Sequence, residues 1–240
     1  MSHANSNGEE RAATTAPARH EFPADFRPDE DSALALLRHP GLAPELLEKL
    51  SKSGAAAKSR KVKLGIVMHA KTPRHVSRSL LRGLYTFDLM LVALAPAVAG
   101  DLKIAAEDTM TKRLESIPLG ERLSLARRAS GKIAGALLLD SEPQVIAAAL
   151  ENPHLTEARI TRALEQSEAS PRFVLAVCVH SKWSLRRDIR IALLRNGNTP
   201  AGYAVEFAKS LPRDLRKEIL ANSKLQDDIK QILLTNTGTI

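Results

Sequence analysis

A chain of 240 residues, 44% of them hydrophobic, is long enough to bury a substantial core, yet only 3% are aromatic, so that core must be Leu, Ala, Val and Ile. A lone cysteine, Cys178, excludes a disulfide framework or a cysteine-based metal site within one chain, and glycines scattered at segment ends argue against a β-sandwich. The formal charge is +8, but residues 1–31 carry three arginines against seven carboxylates, so the basic excess lies in residues 32–240.

Residues 1–31 are polar, rich in Ala, Pro and acids, and without period, which predicts a disordered acidic tail ahead of one helical domain over 32–240. Phe22 and Phe26, in "EFPADFRPDE", are two apolar anchors expected to fold back on the first helices, with docking on a partner as the alternative. The N-terminus has no apolar signal segment, so a cytoplasmic location is expected. Between Lys49 and Phe87 the chain is basic without a single acid, including Arg60, Lys61 and Lys63 in "KSGAAAKSRKVK". In "TPRHVSRSLLRGL", Arg74, Arg78 and Arg82 are spaced by four, on one helix face, while Val76, Leu80, Leu81 and Leu84 form the adjoining apolar face. The run 84–100, "LYTFDLMLVALAPAVAG", is shorter than the ~20 residues of a membrane span and contains Asp88 and Pro96, so it reads as a buried helix.

The same short joint recurs along the chain. A His or Asn ends one apolar segment and a capping-type residue follows three or so positions later, in "HPGLAP" (39), "HAKTPR" (69), "NPHLTE" (152), "HSKWSL" (180), "NGNTPA" (196) and "NSKLQD" (222). The intervals are 30, 83, 28, 16 and 26 residues, and the long one has room for degenerate copies. Prolines 44, 73, 96, 118, 143, 171 and 200 keep a similar beat, as expected of residues placed where a helix begins. Thr72, Ser170 and Thr199 precede three of them and are expected to cap the next helix, with Asn closing the previous one in the left-handed conformation. Two short helices per unit, each unable to bury its apolar face alone, predict an all-α chain: an α-solenoid of stacked helical pairs over 33–235. An irregular all-α bundle is the alternative.

"LALLRHPGLAPELLEKL" and "VIAAALENPHLTEARI" resemble the leucine-rich variant repeat, a short HEAT-like unit of bacterial proteins, and residues 121–235 carry the resemblance best. It implies a repeat fold and a binding surface without a reaction. The best-known protein of that kind carries an iron–sulfur cluster on a cysteine-rich segment; a single Cys178 does not support that here.

No cofactor, metal or catalytic set is expected. His39, His69 and His180 sit in different units about a helix diameter, ~10 Å, apart, too far to share one ion, and phosphate-loop and nucleophile-elbow motifs are missing. "HSKWSLRRDIR" groups Lys182, Trp183, Arg186, Arg187 and Arg190 around Asp188, a set similar in type to that of HEAT-like DNA glycosylases. Trp183 also falls where other joints place Leu42 and Leu155, which makes it a packing residue. The expected function is a non-enzymatic scaffold or adaptor that binds a protein partner, with Arg60, Lys61, Lys63, Arg74, Arg78 and Arg82 as a basic patch and Lys182, Trp183, Arg186, Arg187 and Arg190 as a second surface. A duplex-binding solenoid using the same arginines is the alternative, and a glycosylase centred on Trp183 and Asp188 the third. No membrane span and no small-molecule substrate are expected.

Overall fold

The computed structural model describes residues 28–235, and Phe22 and Phe26 lie outside them. Among the described residues every regular element is helical. The helices are α1 (Glu30–Leu37), α2 (Pro44–Lys52), α3 (Gly54–Lys58), α4 (Arg60–Met68), α5 (Arg74–Leu81), α6 (Thr86–Leu94), α7 (Gly100–Thr111) and α8 (Leu119–Arg128). Then come α9 (Gly131–Leu137), α10 (Pro143–Leu150), α11 (Glu157–Leu164), α12 (Pro171–Val179), α13 (Arg187–Arg195), α14 (Ala201–Lys209), α15 (Arg213–Ala221) and α16 (Asp227–Thr235). The acids nearest the described start, Glu30 and Asp31, form the first turn of α1 with Asp29 as its N-cap, accepting from the Ser32 N–H at 2.9 Å. The acidic tail therefore ends inside a helix start, where carboxylates meet the positive end of the dipole.

From α4 onward the extensive helix contacts join elements one or two places apart in the chain, and α5, α7, α9, α11, α13 and α15 form one continuous row. The core follows the same path. One aliphatic cluster runs from Val67 to Leu233, with Phe173 and Phe207 as its fully buried rings, and a smaller one around Ala33, Leu50, Val62, Ile66 and Val76 closes the N-terminal end. Helices this short are marginal alone, so burial between neighbours must hold them.

The joints explain how neighbours are held. At Asn196 the side chain faces two ways: its Oδ1 accepts from the Asn198 N–H (2.9 Å), and its Nδ2 donates to Leu164 O in the previous unit (2.7 Å). Asn152 does the same, accepting from the His154 N–H (2.7 Å) and donating to Ala126 O and Ala129 O (2.7 and 3.1 Å). In His69 the two ring nitrogens take these roles: Nδ1 accepts from the Lys71 N–H at 3.2 Å, which leaves the proton on Nε2, 3.1 Å from His39 O. His and Asn interchange because each offers an acceptor and a donor on opposite sides of a short planar group. The joints are closed by this bonding and not by left-handed backbone: His69, His180 and Asn196 are extended, with φ between −72° and −87°, and no non-glycine residue among those described has positive φ.

Two further expectations change. Ser170 caps α12 as expected, accepting from the Phe173 N–H, but Thr72 and Thr199 turn backward and donate to Ile66 O (2.5 Å) and Leu193 O (2.6 Å). Pro73 and Pro200 are themselves the N-caps, so each threonine stands one residue outside capping range and meets the open carbonyls of the helix just finished. At the last joint Ser223, not Asn222, makes the tie, donating to Leu194 O (2.6 Å) and accepting from the Leu225 N–H (3.1 Å).

These ties fall into two sets. His69, Asn152 and Trp183 reach only joints of one set, and Asn196 and Ser223 only joints of the other, while α13 runs from the joint that holds Trp183 to the Asn196 joint. The sets thus lie at opposite helix ends, and the irregular 16-residue interval is one helix, not a short repeat. In the long gap the tie is written differently: the Arg113 guanidinium spans back to Leu84 O (2.7 Å) and Arg82 O (2.8 Å).

Candidate functional site

The basic segment forms a surface over α4 and α5, but distant acids answer much of it. Arg60 grips the buried carboxylate of Asp88 with two bonds (2.7 and 2.9 Å) and lies 5.0 Å from the Tyr85 ring centroid. The Asp88 hydrogen bond and charge raise the Arg60 pKa further above its ordinary value. Arg74 and Arg78 share Asp101 of α7, at 3.2 and 3.5 Å, and Lys61 lies 3.4 Å from Glu30. Lys63 and Arg82 have no acidic partner among the described residues. Arg74 and Arg78 thus meet one acid from the same side of α5, with their charges partly countered, and Arg82 is the C-cap of that helix.

The second predicted set does not form one site. Trp183 is only 3% exposed, and its Nε1 donates to Leu150 O at 2.8 Å, so the indole serves as a tie under the joint. Leu42 and Leu155 are buried at the corresponding places, as the spacing predicted. Lys182 Nζ covers the indole at 4.0 Å from its centroid, and Arg190 donates to Ser184 O (2.7 Å) beside the Phe207 ring. Arg186 and Arg187 are exposed. His180 accepts from the Lys182 N–H through Nδ1, while its Nε2 lies 3.2 Å from Glu151 Oε1 out of line for a hydrogen bond. No group of three or more His, Cys, Asp or Glu side chains among the described residues is placed to hold a metal ion, and no described helix is long and apolar enough to cross a membrane.

Cys178 lies in the core of α12, where burial, reinforced by Glu206, pushes its thiol from 9.0 up to about 12. The folded protein holds the neutral thiol, so as pH rises from 9.0 towards about 12 the unfolded chain ionises first and stability falls across that window. At pH 8 a thiol reagent is expected to leave the native protein unlabelled and to label it fully in denaturant; rapid native labelling would show that the α12 core is open.

Asp188 faces elsewhere than Trp183. It lines a groove of about 750 Å³ between α11 and α13, with Glu157, Thr161, Arg162, Glu165 and Arg195. None of these five charged side chains has an ion-pair or hydrogen-bond partner among the described residues. Sequence reasoning singled out Asp188 alone. Of the other four, Arg162, Glu165 and Arg195 are exposed and Glu157 is half-buried, and only the stacking of α11 on α13 collects them.

Compared with known proteins, the chain matches no family model, no curated protein and no solved structure.

Proposed function

We propose that this chain is a non-enzymatic helical-repeat scaffold, an α-solenoid of HEAT-like units of the leucine-rich variant kind, that holds a protein partner on the row of α5, α7, α9, α11, α13 and α15. The observation that carries the reading is the groove between α11 and α13, which leaves charges of both signs unpaired. A polyanion is served by one sign of charge, whereas a protein surface offers both. The basic face supports the same preference, because Asp88, Asp101 and Glu30 already counter Arg60, Arg74, Arg78 and Lys61. Arg82 and Lys63 remain the best argument for the duplex-binding alternative.

Two measurements test the reading. A photo-cross-linker at Ile191, half-buried in the groove, is expected to capture a protein in cells that make the chain, whereas one at exposed Ala147 on α10 is not. Binding to a random-sequence duplex is expected to be the same for wild type and the Arg74/Arg78/Arg82→Ala variant at about 50 mM salt; wild-type binding that falls about a thousandfold by about 200 mM, with a flatter slope in the variant, would replace the scaffold by the duplex reading.

A further inference from the structure

The two walls of the groove run in the same direction. Trp183 Nε1 on Leu150 O ties the approaches to α11 and α13 together, and Asn196 Nδ2 on Leu164 O ties their ends. Equivalent turns therefore face each other. Glu157 and Asp188, each in a first turn, make one end of the groove acidic; Arg162 and Arg195, each in a last turn, make the other end basic, with Glu165 beside them.

Helix dipoles favour acids at starts and bases at ends, but they do not account for all these groups being left without partners. At the first two interfaces of the same row, charges pair across: Arg74 and Arg78 with Asp101 between α5 and α7, and Lys132 with Asp108 between α7 and α9 at 2.6 Å. Between α11 and α13 Glu157 faces Asp188 at one end and Arg162 faces Arg195 at the other, and no ion pair forms there, Glu165 included. The hydroxyl of Thr161 in the same wall is closed off from solvent and makes no hydrogen bond, whereas Thr109 on α7 donates to Ala105 O at 2.7 Å.

We propose that this groove docks an extended segment of a protein partner carrying a Lys or Arg and, about three residues along, an Asp or Glu. The spacing comes from the walls: Asp188 and Arg195 are seven residues apart on one helix, so about 10 Å along its axis at ~1.5 Å per residue, which a chain in the extended polyproline-type conformation covers in about three residues at ~3.1 Å each, with the two side chains on one face. The partner's cation meets Glu157 and Asp188, and its carboxylate sits between Arg162 and Arg195. Ala158, Ile191 and Ala192 supply apolar contact between the two ends. At its basic end the groove runs on into a second cleft where Arg195 and Glu165 join Asn198 and Lys224, which gives a polypeptide a way through.

The inference rests on the scaffold reading, and the test separates the two. The full chain is panned against random peptides displayed on phage. Enriched sequences are expected to pair a base with an acid about three positions apart. Their affinity is expected to fall about tenfold in Asp188→Arg and in Arg195→Glu, two exposed substitutions that leave the helical spectrum unchanged. The Glu157→Arg/Asp188→Arg variant should enrich peptides with two acids instead, a switch that loss of folding does not produce. Enriched peptides that ignore the groove substitutions but are lost in Arg74/Arg78/Arg82→Ala overturn the groove and leave the scaffold reading standing. Failure to enrich any peptide overturns the groove, and duplex binding in its place overturns the scaffold reading as well.

Discussion

Asn152→Ala is expected to destabilise the chain by about 3 kcal/mol, lowering the melting temperature by about 9 °C at the ~2–4 °C per kcal/mol of a chain this size. Asn152 is 1% exposed, and its side chain serves Ala126 O, Ala129 O and the His154 N–H, three backbone groups with little water to turn to once it is gone. Each buried group left unmet costs about 1–3 kcal/mol, and the smaller alanine adds a cavity. Asn152→Asp keeps the shape and the acceptor for His154 but sets a carboxylate against two carbonyl oxygens, so at neutral pH it should be no better than alanine. Asn152→His is expected to recover part of the loss, since His69 makes both ties at its own joint. A thermal melt of the alanine variant within about 1 °C of wild type would show that the joint is not held by this side chain.

Gly131→Ala is the second large effect, and its cause is steric. A Cβ on Gly131, the first residue of α9, would stand 2.2 Å from the backbone oxygen of His154 in the α10–α11 joint. No flexible side-chain end is there to yield, so the two units must separate. Overpacking costs about 1–3 kcal/mol, and a backbone obstacle puts this site at about 3 kcal/mol. Gly197 in the other set of joints meets Lys224 O at 2.7 Å and should respond in the same sense, less strongly. Gly120 and Gly202, early in α8 and α14, have nothing within 4 Å, and alanine there is expected to be neutral or to stabilise by up to ~1 kcal/mol. Urea unfolding of the four variants checks the contrast; equal midpoints would mean that the units are not in close backbone contact.

The joints were legible in the sequence because a planar side chain with an acceptor and a donor is needed at a fixed place, and few residue types qualify. Their mechanism was not, since the partner carbonyls of Asn152 and Asn196 belong to units more than twenty residues back. Arg113 hid its tie for a related reason: a long guanidinium does the same work from outside the turn, so the local pattern disappears. Asn222 misled because the neighbouring Ser223 hydroxyl both donates and accepts, and the helix end shifted by one residue. The stretch from Lys49 to Phe87 holds no acid, yet Arg60, Arg74 and Arg78 find Asp88 and Asp101 by packing, which charge counting along the chain does not see. The groove was least legible, because Glu157 and Asp188 each look like a routine first-turn acid until parallel stacking sets them face to face.

Ties that reach only the adjoining unit also decide how the fold comes apart. No strand or long loop couples one end of the described chain to the other, so resistance to opening is built from contacts between helices one or two places apart, and a helix at the end of the described row has fewer such neighbours than one in its middle. The last described helix, α16, packs extensively only on α14 and α15. Amide exchange should therefore be graded along the chain, fastest at α16 and slowest around α10 to α13, where Asn152, Trp183 and Asn196 fasten both helix ends at once.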